Sequence, residues 1–332
     1  MIEWVEFKNF RALRDARLPL SRFSLIVGAN GSGKSTALQA ILALGHPEKL
    51  DGQRIRTAGA AATENVELLA RWGEEENAYL ISVQWSGIHK ILSYRRDVGN
   101  LKEDESSPRT SLDRARIFSL DANAIAAPVH LHPHVELQRN GTNLAGVLDR
   151  LRDQNPERFE SMNQELMRWV PEFDRILFET PAQGQRAIAL RTRSAHHTIH
   201  ADDLSQGTLI ALALLTIAYL PQPPSVVCLE EPDHGLHPRL LRDVRDALYR
   251  LAYPEDSQEK RDPVQVVATT HNPYFLDLFR DHPEEILIAE KSGLEARFSR
   301  LSDRPDLEEI LGDAPLSEAW YSGVLGGVPA GA

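Results

Sequence analysis

The apolar pattern at the start of the chain changes from strand-like to helix-like over a short distance. The pattern predicts a strand, a turn and a second strand, followed by a loop and a helix. The apolar run Phe23–Val27 is typical of a buried strand, and apolar residues from Ser35 to Leu44 recur at helical spacing. A glycine-containing loop that begins at Gly28 joins the two. The start of the chain therefore predicts a strand–loop–helix unit.

The middle of the chain alternates between strand-like and helix-like patterns. A charged loop is predicted from Gly45 to about Thr63, and a polar loop from Asn100 to Ser111. Alternating residues predict antiparallel strands at Ala78–Trp85, Lys90–Arg95 and Ala115–Leu120. Two helices and then two strands follow, at Asn143–Arg152, Glu157–Trp169, Arg175–Glu179 and Ala187–Thr192. This region predicts an antiparallel β layer and a helical lobe.

The last part of the chain returns to an alternation of helices and strands. The predicted elements are a buried helix Leu209–Tyr219, a strand Ser225–Glu230, a helix Arg239–Leu251, a strand Val264–Thr269, a short helix from Pro273, and strands Glu285–Ala289 and Glu295–Ser299. We therefore predict a discontinuous α/β core from residues 1–45 and 201–300. Residues 46–200 form the β layer and helical lobe of this prediction, and residues 301–332 form a C-terminal tail.

Composition places the chain among ordinary globular proteins, with 332 residues, 42% hydrophobic and 26% charged. The longest apolar run, Leu209–Leu220, is too short to span a bilayer, and the N-terminus lacks the apolar segment of a secretory signal. The single Cys228 excludes an intrachain disulfide. We predict a cytoplasmic protein with no membrane partner. The net charge of −11 argues against tight DNA binding by an isolated monomer but leaves room for a local basic groove.

The loop after the first buried strand fits the pattern G-x-x-x-x-G-K-[ST] of a phosphate-binding loop. Its glycines allow successive backbone N–H groups to point at phosphate oxygens, and the following helix adds its positive end. Lys34 supplies a cation for the β- and γ-phosphates, and the Ser35 hydroxyl can ligate Mg²⁺. The candidate nucleotide-binding residues are Gly28, Ala29, Asn30, Gly31, Ser32, Gly33, Lys34, Ser35 and Thr36.

A second strand, Val226–Glu230, ends in two adjacent acids, Glu230 and Glu231. A phosphate-loop ATPase uses such acids to hold Mg²⁺ and to position the attacking water. We assign Glu230 to the metal and Glu231 to polarisation of the water. The alternative is a strand that ends in ordinary solvated acids, and the phosphate loop makes this alternative much weaker.

Two further segments carry candidate chemistry. Ser205 can cap the predicted helix that follows it, with Gly207 in the first turn, and an ordinary N-cap is the simpler interpretation of this segment alone. His271 follows the predicted strand Val264–Thr269. A lone histidine is more often a surface or structural residue, so its functional interpretation depends on the other motifs.

These segments together resemble the ATPase heads of the RecF, SMC and OLD type, and above all the stand-alone ABC-class ATPases usually labelled "AAA family ATPase". The resemblance covers most of the chain, including the opening Phe7–Arg11 and the tail Trp320–Gly323. It implies an α/β P-loop NTPase fold of the ABC head type, with an antiparallel β layer and an inserted helical lobe. It also implies that Ser205 and Gly207 contact the γ-phosphate held by a second subunit, and that His271 contacts the γ-phosphate and links it to the catalytic water.

Some positions depart from the ABC transporter pattern. The acid at the end of the strand is Glu230 rather than aspartate, Gln206 replaces the first signature glycine, and His237 stands near the place of the D-loop aspartate. The motifs do not place the Q-loop glutamine of ABC-type heads. Gln84 ends a predicted strand and Gln138 lies at the passage into the helical lobe, and of these two candidates we favour Gln138.

Two clusters of cationic residues leave alternatives open. His130, His132 and His134 alternate along an extended segment, but no set of acidic or cysteine ligands accompanies them, which argues against a metal site. A basic stretch is either a solvated strand edge, which we favour, or a nucleic-acid surface; its members are Arg186, Arg191, Arg193, His196, His197 and His200.

The resemblance predicts an ATPase that binds ATP and Mg²⁺, closes as a head-to-tail homodimer on two ATP molecules, and acts on DNA or a partner effector enzyme in DNA repair or phage defence. The alternative is an interaction scaffold that ATP stabilises without appreciable turnover. A transporter subunit is disfavoured by the divergent signature and the large insert. We predict no intrinsic nuclease, because the roughly sixty residues after His271 leave too little room for the nuclease domain of OLD proteins.

Overall fold

The computed structural model describes residues 1–61, 63–73, 78–86, 89–96, 108–133, 135–293, 295–312 and 315–326. Within these residues the strands are β1 (Ile2–Phe10), β2 (Leu13–Pro19), β3 (Phe23–Val27), β4 (Val66–Trp72), β5 (Tyr79–Ser86), β6 (His89–Arg96), β7 (Arg116–Phe118), β8 (Val129–His130), β9 (Phe173–Glu179), β10 (Gln185–Thr192), β11 (Thr198–His200), β12 (Val226–Glu230), β13 (Gln265–Thr270), β14 (Ile286–Ser292) and β15 (Glu295–Arg300). The helices are α1 (Lys34–Gly45), α2 (Pro108–Asp113), α3 (Ala122–Ala126), α4 (Leu144–Gln154), α5 (Pro156–Trp169), α6 (Gln206–Tyr219), α7 (Leu240–Ala252), α8 (Pro273–Asp277), α9 (Leu307–Ile310) and α10 (Leu316–Tyr321).

The chain divides into two compact units. The first consists of residues 1–117, 224–230 and 263–332, and the second of residues 118–223 and 231–262. Each unit is therefore built from segments that are distant in sequence. The boundaries at residues 45, 200 and 300, which separate the α/β core from the middle region and the C-terminal tail, stay a prediction.

A sheet with the strand order β15-β14-β3-β13-β12-β7 forms the centre of the first unit. Strand β3 is parallel to both of its neighbours, β13 and β14, and β12 is parallel to β13. Every residue of β3 and of β13 is buried, as expected for central strands of a parallel sheet covered on both faces. The carboxyl ends of β3, β12 and β13 consequently lie at the same edge of the sheet.

A second sheet in this unit is antiparallel, with the order β2-β1-β4-β5-β6. Residues on one of its faces, such as Val5, Leu68 and Val83, are buried, and their neighbours in sequence are partly exposed. This face contributes to a hydrophobic core that also includes Ile41 of α1 and Val267 of β13. The antiparallel layer thus shares its core with the strands that carry the phosphate loop.

The second unit combines four antiparallel strands with helices. Strand β10 pairs with β8, β9 and β11, and helices α3 to α7 belong to the same unit. Residues 208–218 of helix α6 are all buried, and an apolar helix of this kind belongs to a protein interior. Helix α6 is therefore the central helix of this unit.

The structure corrects several predicted elements. Three strands precede the phosphate loop where two were predicted, because the polar edge strand β2 returns antiparallel to β1. Strand β4 was not predicted, although its alternation is regular. Strand β7 lies beside β12 in the central sheet and not in the antiparallel layer. The predicted loop Asn100–Ser111 overlaps α2, and its residues 100–107 lie outside the described residues.

None of the helices in the described ranges is long and apolar enough to cross a membrane.

Candidate functional site

The predicted phosphate-binding loop connects β3 directly to α1. Gly31 and Gly33 have positive φ angles of 79° and 100°, which glycine adopts without strain. Gly28 is required for a different reason, since a Cβ atom there would collide with the backbone oxygen of Ala289 in β14. The loop is therefore held against a neighbouring strand by close backbone packing. Ala289 was not predicted as part of the site, and its small side chain is the signal that the sequence gives at this position.

Lys34 folds over the loop from the first turn of α1. Its side chain is almost completely buried, and Nζ donates to the backbone oxygens of Gly28 at 2.6 Å and Ala29 at 3.0 Å. Ser32 is also buried, and its hydroxyl has no hydrogen-bond partner among the described residues. Ser35 is exposed at the start of the helix. The loop thus presents a cation and two hydroxyl groups around a curved backbone.

The strand register brings two other candidate residues to the same edge of the sheet. Val27 pairs with Thr270, and Glu230 pairs with Thr269. Gly28 and His271 each follow directly after the paired residues Val27 and Thr270. The first unit therefore brings together the phosphate loop, Glu230 and His271.

His271 lies between β13 and helix α8. The Thr270 hydroxyl accepts from the backbone N–H of Asn272 at 2.9 Å, and the Asn272 side chain accepts from Tyr274 N at 3.0 Å. The second bond makes Asn272 the N-cap of α8. These two bonds fix the backbone on the C-terminal side of His271, whose side chain is exposed.

Glu231 begins the second unit, one residue after Glu230. Its φ angle of 46° is unusual for a residue other than glycine, and Pro232 follows it. Its backbone oxygen accepts from His234 N at 2.9 Å. The chain therefore turns sharply at the residue assigned to the attacking water.

Ser205 and Gly207 lie at the start of α6, in the second unit. The Ser205 hydroxyl caps the helix by accepting from Thr208 N at 3.1 Å, as its sequence position predicts. Gly207 packs closely against Gly235. Ser205 and Gly207 belong to the second unit, as does Glu231. The phosphate loop, Glu230 and His271 belong to the first unit.

The choice between Gln84 and Gln138 stays open. The Gln84 amide donates to Glu67 at 2.8 Å across neighbouring strands of the antiparallel sheet. Gln138 is exposed in a turn of the second unit, where its backbone N–H donates to Asn143 at 2.8 Å.

The structure describes the histidine segment only in part. His130 and His132 are exposed, and His134 lies outside the described residues. No group of three or more potential metal ligands occurs in the part of the chain that the structure describes.

The basic stretch on β10 and β11 is paired with acids and carbonyl groups. The Arg191 guanidinium donates to both carboxylate oxygens of Asp174, at 2.7 and 3.2 Å. This pairing lowers the pKa of Asp174 and raises that of Arg191. Arg193 donates to the backbone oxygen of Pro171 at 2.9 Å, and Arg186 lies 2.8 Å from Asp149. These contacts favour the interpretation of the stretch as an exposed strand edge over a nucleic-acid surface.

His200 should titrate above an ordinary histidine. Its Nδ1 lies 2.6 Å from the carboxylate of Glu179, and this hydrogen bond raises the pKa of His200. The folded state therefore holds the proton more tightly. The resulting stabilisation is complete below the ordinary histidine pKa and is lost as the pH rises through the folded-state value. We expect the NMR titration midpoint of His200 to fall in Glu179→Gln, and an unchanged midpoint would contradict this pairing.

The residues at the sheet edge fit a nucleoside triphosphate. Glycine backbone, a buried lysine amine and the buried hydroxyl of Ser32 form a cradle of hydrogen-bond donors that suits phosphate oxygens. The oxygen donors Ser35 and Glu230 are of the type that Mg²⁺ prefers.

Comparisons with known proteins agree with this geometry. Residues 23–277 match the family described as "AAA domain, putative AbiEii toxin, Type IV TA system". The OLD nuclease of Thermus scotoductus is 23% identical over an alignment 326 residues long, and the match covers 84% of this chain and 60% of that protein. The DNA replication and repair protein RecF of Salmonella paratyphi A is 30% identical over 127 residues, which cover 38% of this chain and 29% of that protein. The chain thus spans less than two thirds of either relative.

Among solved structures, the SMC head domain from Thermotoga maritima superposes with a TM-score of 0.50 at 16% identity. The match covers 90% of this chain and 98% of the SMC head. It confirms the predicted fold class, an α/β P-loop head of the ABC type. The predicted resemblance to OLD, RecF and SMC heads is also confirmed.

Proposed function

Because the chain belongs to this family of ATPase domains, we propose that it is an ATP-hydrolysing switch that closes as a head-to-tail homodimer on two ATP molecules. One observation carries the proposal: the phosphate loop, Glu230 and His271 lie at the carboxyl ends of three neighbouring strands, at one edge of the sheet. Such an arrangement supports hydrolysis as well as binding, because phosphoryl transfer requires mainly positioning and neutralisation of charge.

We assign the binding of ATP to residues 28–36. The loop backbone and Lys34 hold the β- and γ-phosphates, and Ser35 and Glu230 hold Mg²⁺. The metal ion neutralises charge on the phosphate oxygens when it is bound. Glu231 accepts a proton from the attacking water, and His271 holds the γ-phosphate.

The second subunit contributes the start of helix α6. In the closed dimer, Ser205 and Gly207 meet the γ-phosphate held by the partner, where the positive end of the helix favours an anion. Because nucleotide bound only in the closed dimer shifts the association equilibrium, closure depends on ATP.

We propose that the switch works in the cytoplasm on DNA or on a partner effector enzyme, in DNA repair or in defence against phage. The names of two relatives, a DNA replication and repair protein and a nuclease, support a process that involves nucleic acid. Because Arg191 is paired with Asp174, β10 is a poor candidate for a DNA contact. A scaffold that binds ATP without turnover is the competing function, and ATP turnover of the wild-type protein separates the two.

ATP-linked dimerisation tests the proposal. We expect light scattering of Glu231→Gln to show a larger dimer fraction with Mg-ATP than without nucleotide. Adding Ser205→Asp should remove the increase, because the carboxylate keeps the helix cap but repels the γ-phosphate. Lys34→Ala, which takes the cation away from the loop, should also abolish the increase in dimer fraction.

Binding of a fluorescent ATP analogue controls the dimerisation experiment. Ser205→Asp should still bind the analogue, since its own phosphate loop is intact, and Lys34→Ala should not. A dimer fraction that is low and independent of nucleotide in Glu231→Gln would refute ATP-driven closure. A dimer that forms without nucleotide would refute its ATP dependence.

A further inference from the structure

The start of helix α6 is packed against the chain segment that follows Glu231. A Cβ atom on Gly207 would lie 2.8 Å from the backbone oxygen of Gly235 and 3.7 Å from the Cα of Leu236. Real Cβ atoms do not approach backbone oxygens so closely. Gly207 does not need a positive φ, because it lies in the first turn of the helix. Glycine is therefore required at residue 207 for close contact with Gly235.

The side chain of Gln206 also packs against the segment that follows Glu231, at Gly235. Gly235 has a φ angle of 75°, and a Cβ atom there would meet Cδ and Cγ of Gln206 at 3.2 and 3.3 Å. The glutamine stem thus lies directly over Gly235. Gln206 and Gly207 together form a surface on which residues 235 and 236 rest.

This surface is connected to Glu231 through two short turns. Glu231 O accepts from His234 N at 2.9 Å, and Asp233 O accepts from Leu236 N at 3.3 Å. A residue before proline is restricted to extended conformations, so the left-handed Glu231 must be held by its surroundings. The residues after it are anchored where Gly235 packs against Gln206 and Gly207.

We propose that Gln206 and Gly207 are positioning residues that orient the Glu231 carboxylate of their own chain. This inference rests on the proposed function, and adds to it a role within the subunit for a segment assigned to contact the partner's nucleotide. The same first turn of α6 then meets the partner's γ-phosphate and holds the catalytic residue of its own subunit.

The first test is the kinetics of Gly207→Ala. The added methyl group displaces Gly235, and a displacement of about 1 Å at a catalytic group can cost about 100-fold in rate. We expect kcat to fall by about 10- to 100-fold with KM for ATP within about twofold of the wild type. Gln206→Ala adds no bulk and should lower kcat less, and Gln206→Met, which keeps a long side chain over Gly235, should restore it. A change in KM alone would overturn the proposal.

Mixed dimers separate a role within the subunit from a role across the interface. Gly207→Ala is mixed with Glu231→Gln, so that one site of each mixed dimer combines Glu231 of the first chain with Gly207 of the second. If Gly207 acted only across the interface, this site would be intact and mixing would restore turnover. We expect no restoration, because Glu231 in that site lies in the chain that carries Gly207→Ala.

The matched control mixes Ser205→Asp with Glu231→Gln. Ser205→Asp keeps the helix cap, so its own Glu231 stays in position and the partner supplies an intact Ser205. This mixture should recover about one quarter of wild-type turnover, since half of the dimers are mixed and one of their two sites is complete. Recovery of turnover in both mixtures would overturn the positioning role of Gly207 but would leave the head-to-tail dimer of the proposed function intact. No recovery in the control would instead contradict the head-to-tail dimer of the proposed function.

Discussion

Replacement of Glu231 by glutamine is expected to lower ATP turnover by about 10²- to 10⁴-fold and to leave Mg-ATP binding unchanged. Glutamine has the same shape as glutamate but cannot accept a proton from the attacking water. The phosphate loop, Ser35 and Glu230 are untouched, so the groups assigned to ATP and Mg²⁺ remain in place. Phosphate release at saturating ATP and calorimetric binding of ATP measure the two quantities separately.

Glu160→Gln is the matched control, because it makes the same chemical change on an exposed residue of α5. It should leave both turnover and binding at wild-type values. Wild-type protein that binds ATP without measurable turnover would favour the scaffold function. Turnover that is measurable but equal in wild type and Glu231→Gln would refute the role of this carboxylate.

The strand–loop–helix unit could be predicted from sequence because its determinants are local. The strand Phe23–Val27 has the predicted bounds, and helix α1 exceeds its prediction by one residue at each end. Helix α6 begins at Gln206, three residues before the predicted start. The difference arises because the apolar pattern starts at Leu209, whereas the cap at Ser205 fixes the first turn.

Contacts between distant segments could not be predicted in the same way. Gly28 packs against Ala289, and Gly207 packs against Gly235. A sequence pattern shows the periodicity of a segment but does not show which segments approach each other. The placement of β7 beside β12 has the same cause, since a short apolar run does not specify its partner strand. The signal that the sequence offers for such a contact is a glycine at a position where no turn requires one.

The basic stretch shows how pairing changes the meaning of a charge pattern. Arg191 looks like a free cation in the sequence, and its acidic partner Asp174 lies on the neighbouring strand β9. The net charge of the region was visible in the sequence, but the hydrogen bonds that neutralise it required the strand register.

A partly buried ionic cluster joins three helices of the second unit. The Arg250 guanidinium of α7 donates to both carboxylate oxygens of Glu165 in α5, at 2.8 and 3.3 Å. The Tyr219 hydroxyl of α6 donates to the same carboxylate at 2.6 Å, and Arg250 lies 4.8 Å from the centre of the Tyr219 ring. Burial and the neighbouring Glu165 raise the pKa of Tyr219 to about 12. One carboxylate therefore links α5, α6 and α7.

Arg250→Met should lower the free energy of unfolding by about 3–5 kcal/mol, because the nearly buried Glu165 carboxylate loses its cation. Tyr219→Phe, which removes one hydrogen bond to a charged group and keeps the ring, should cost about 1.5–3 kcal/mol. Adding Glu165→Gln to Arg250→Met should recover part of the loss, since no unpaired charge then remains. Urea unfolding followed by circular dichroism measures all three. If Arg250→Met costs no more than Tyr219→Phe and Glu165→Gln recovers nothing, the ion pair does not stabilise the junction of these helices.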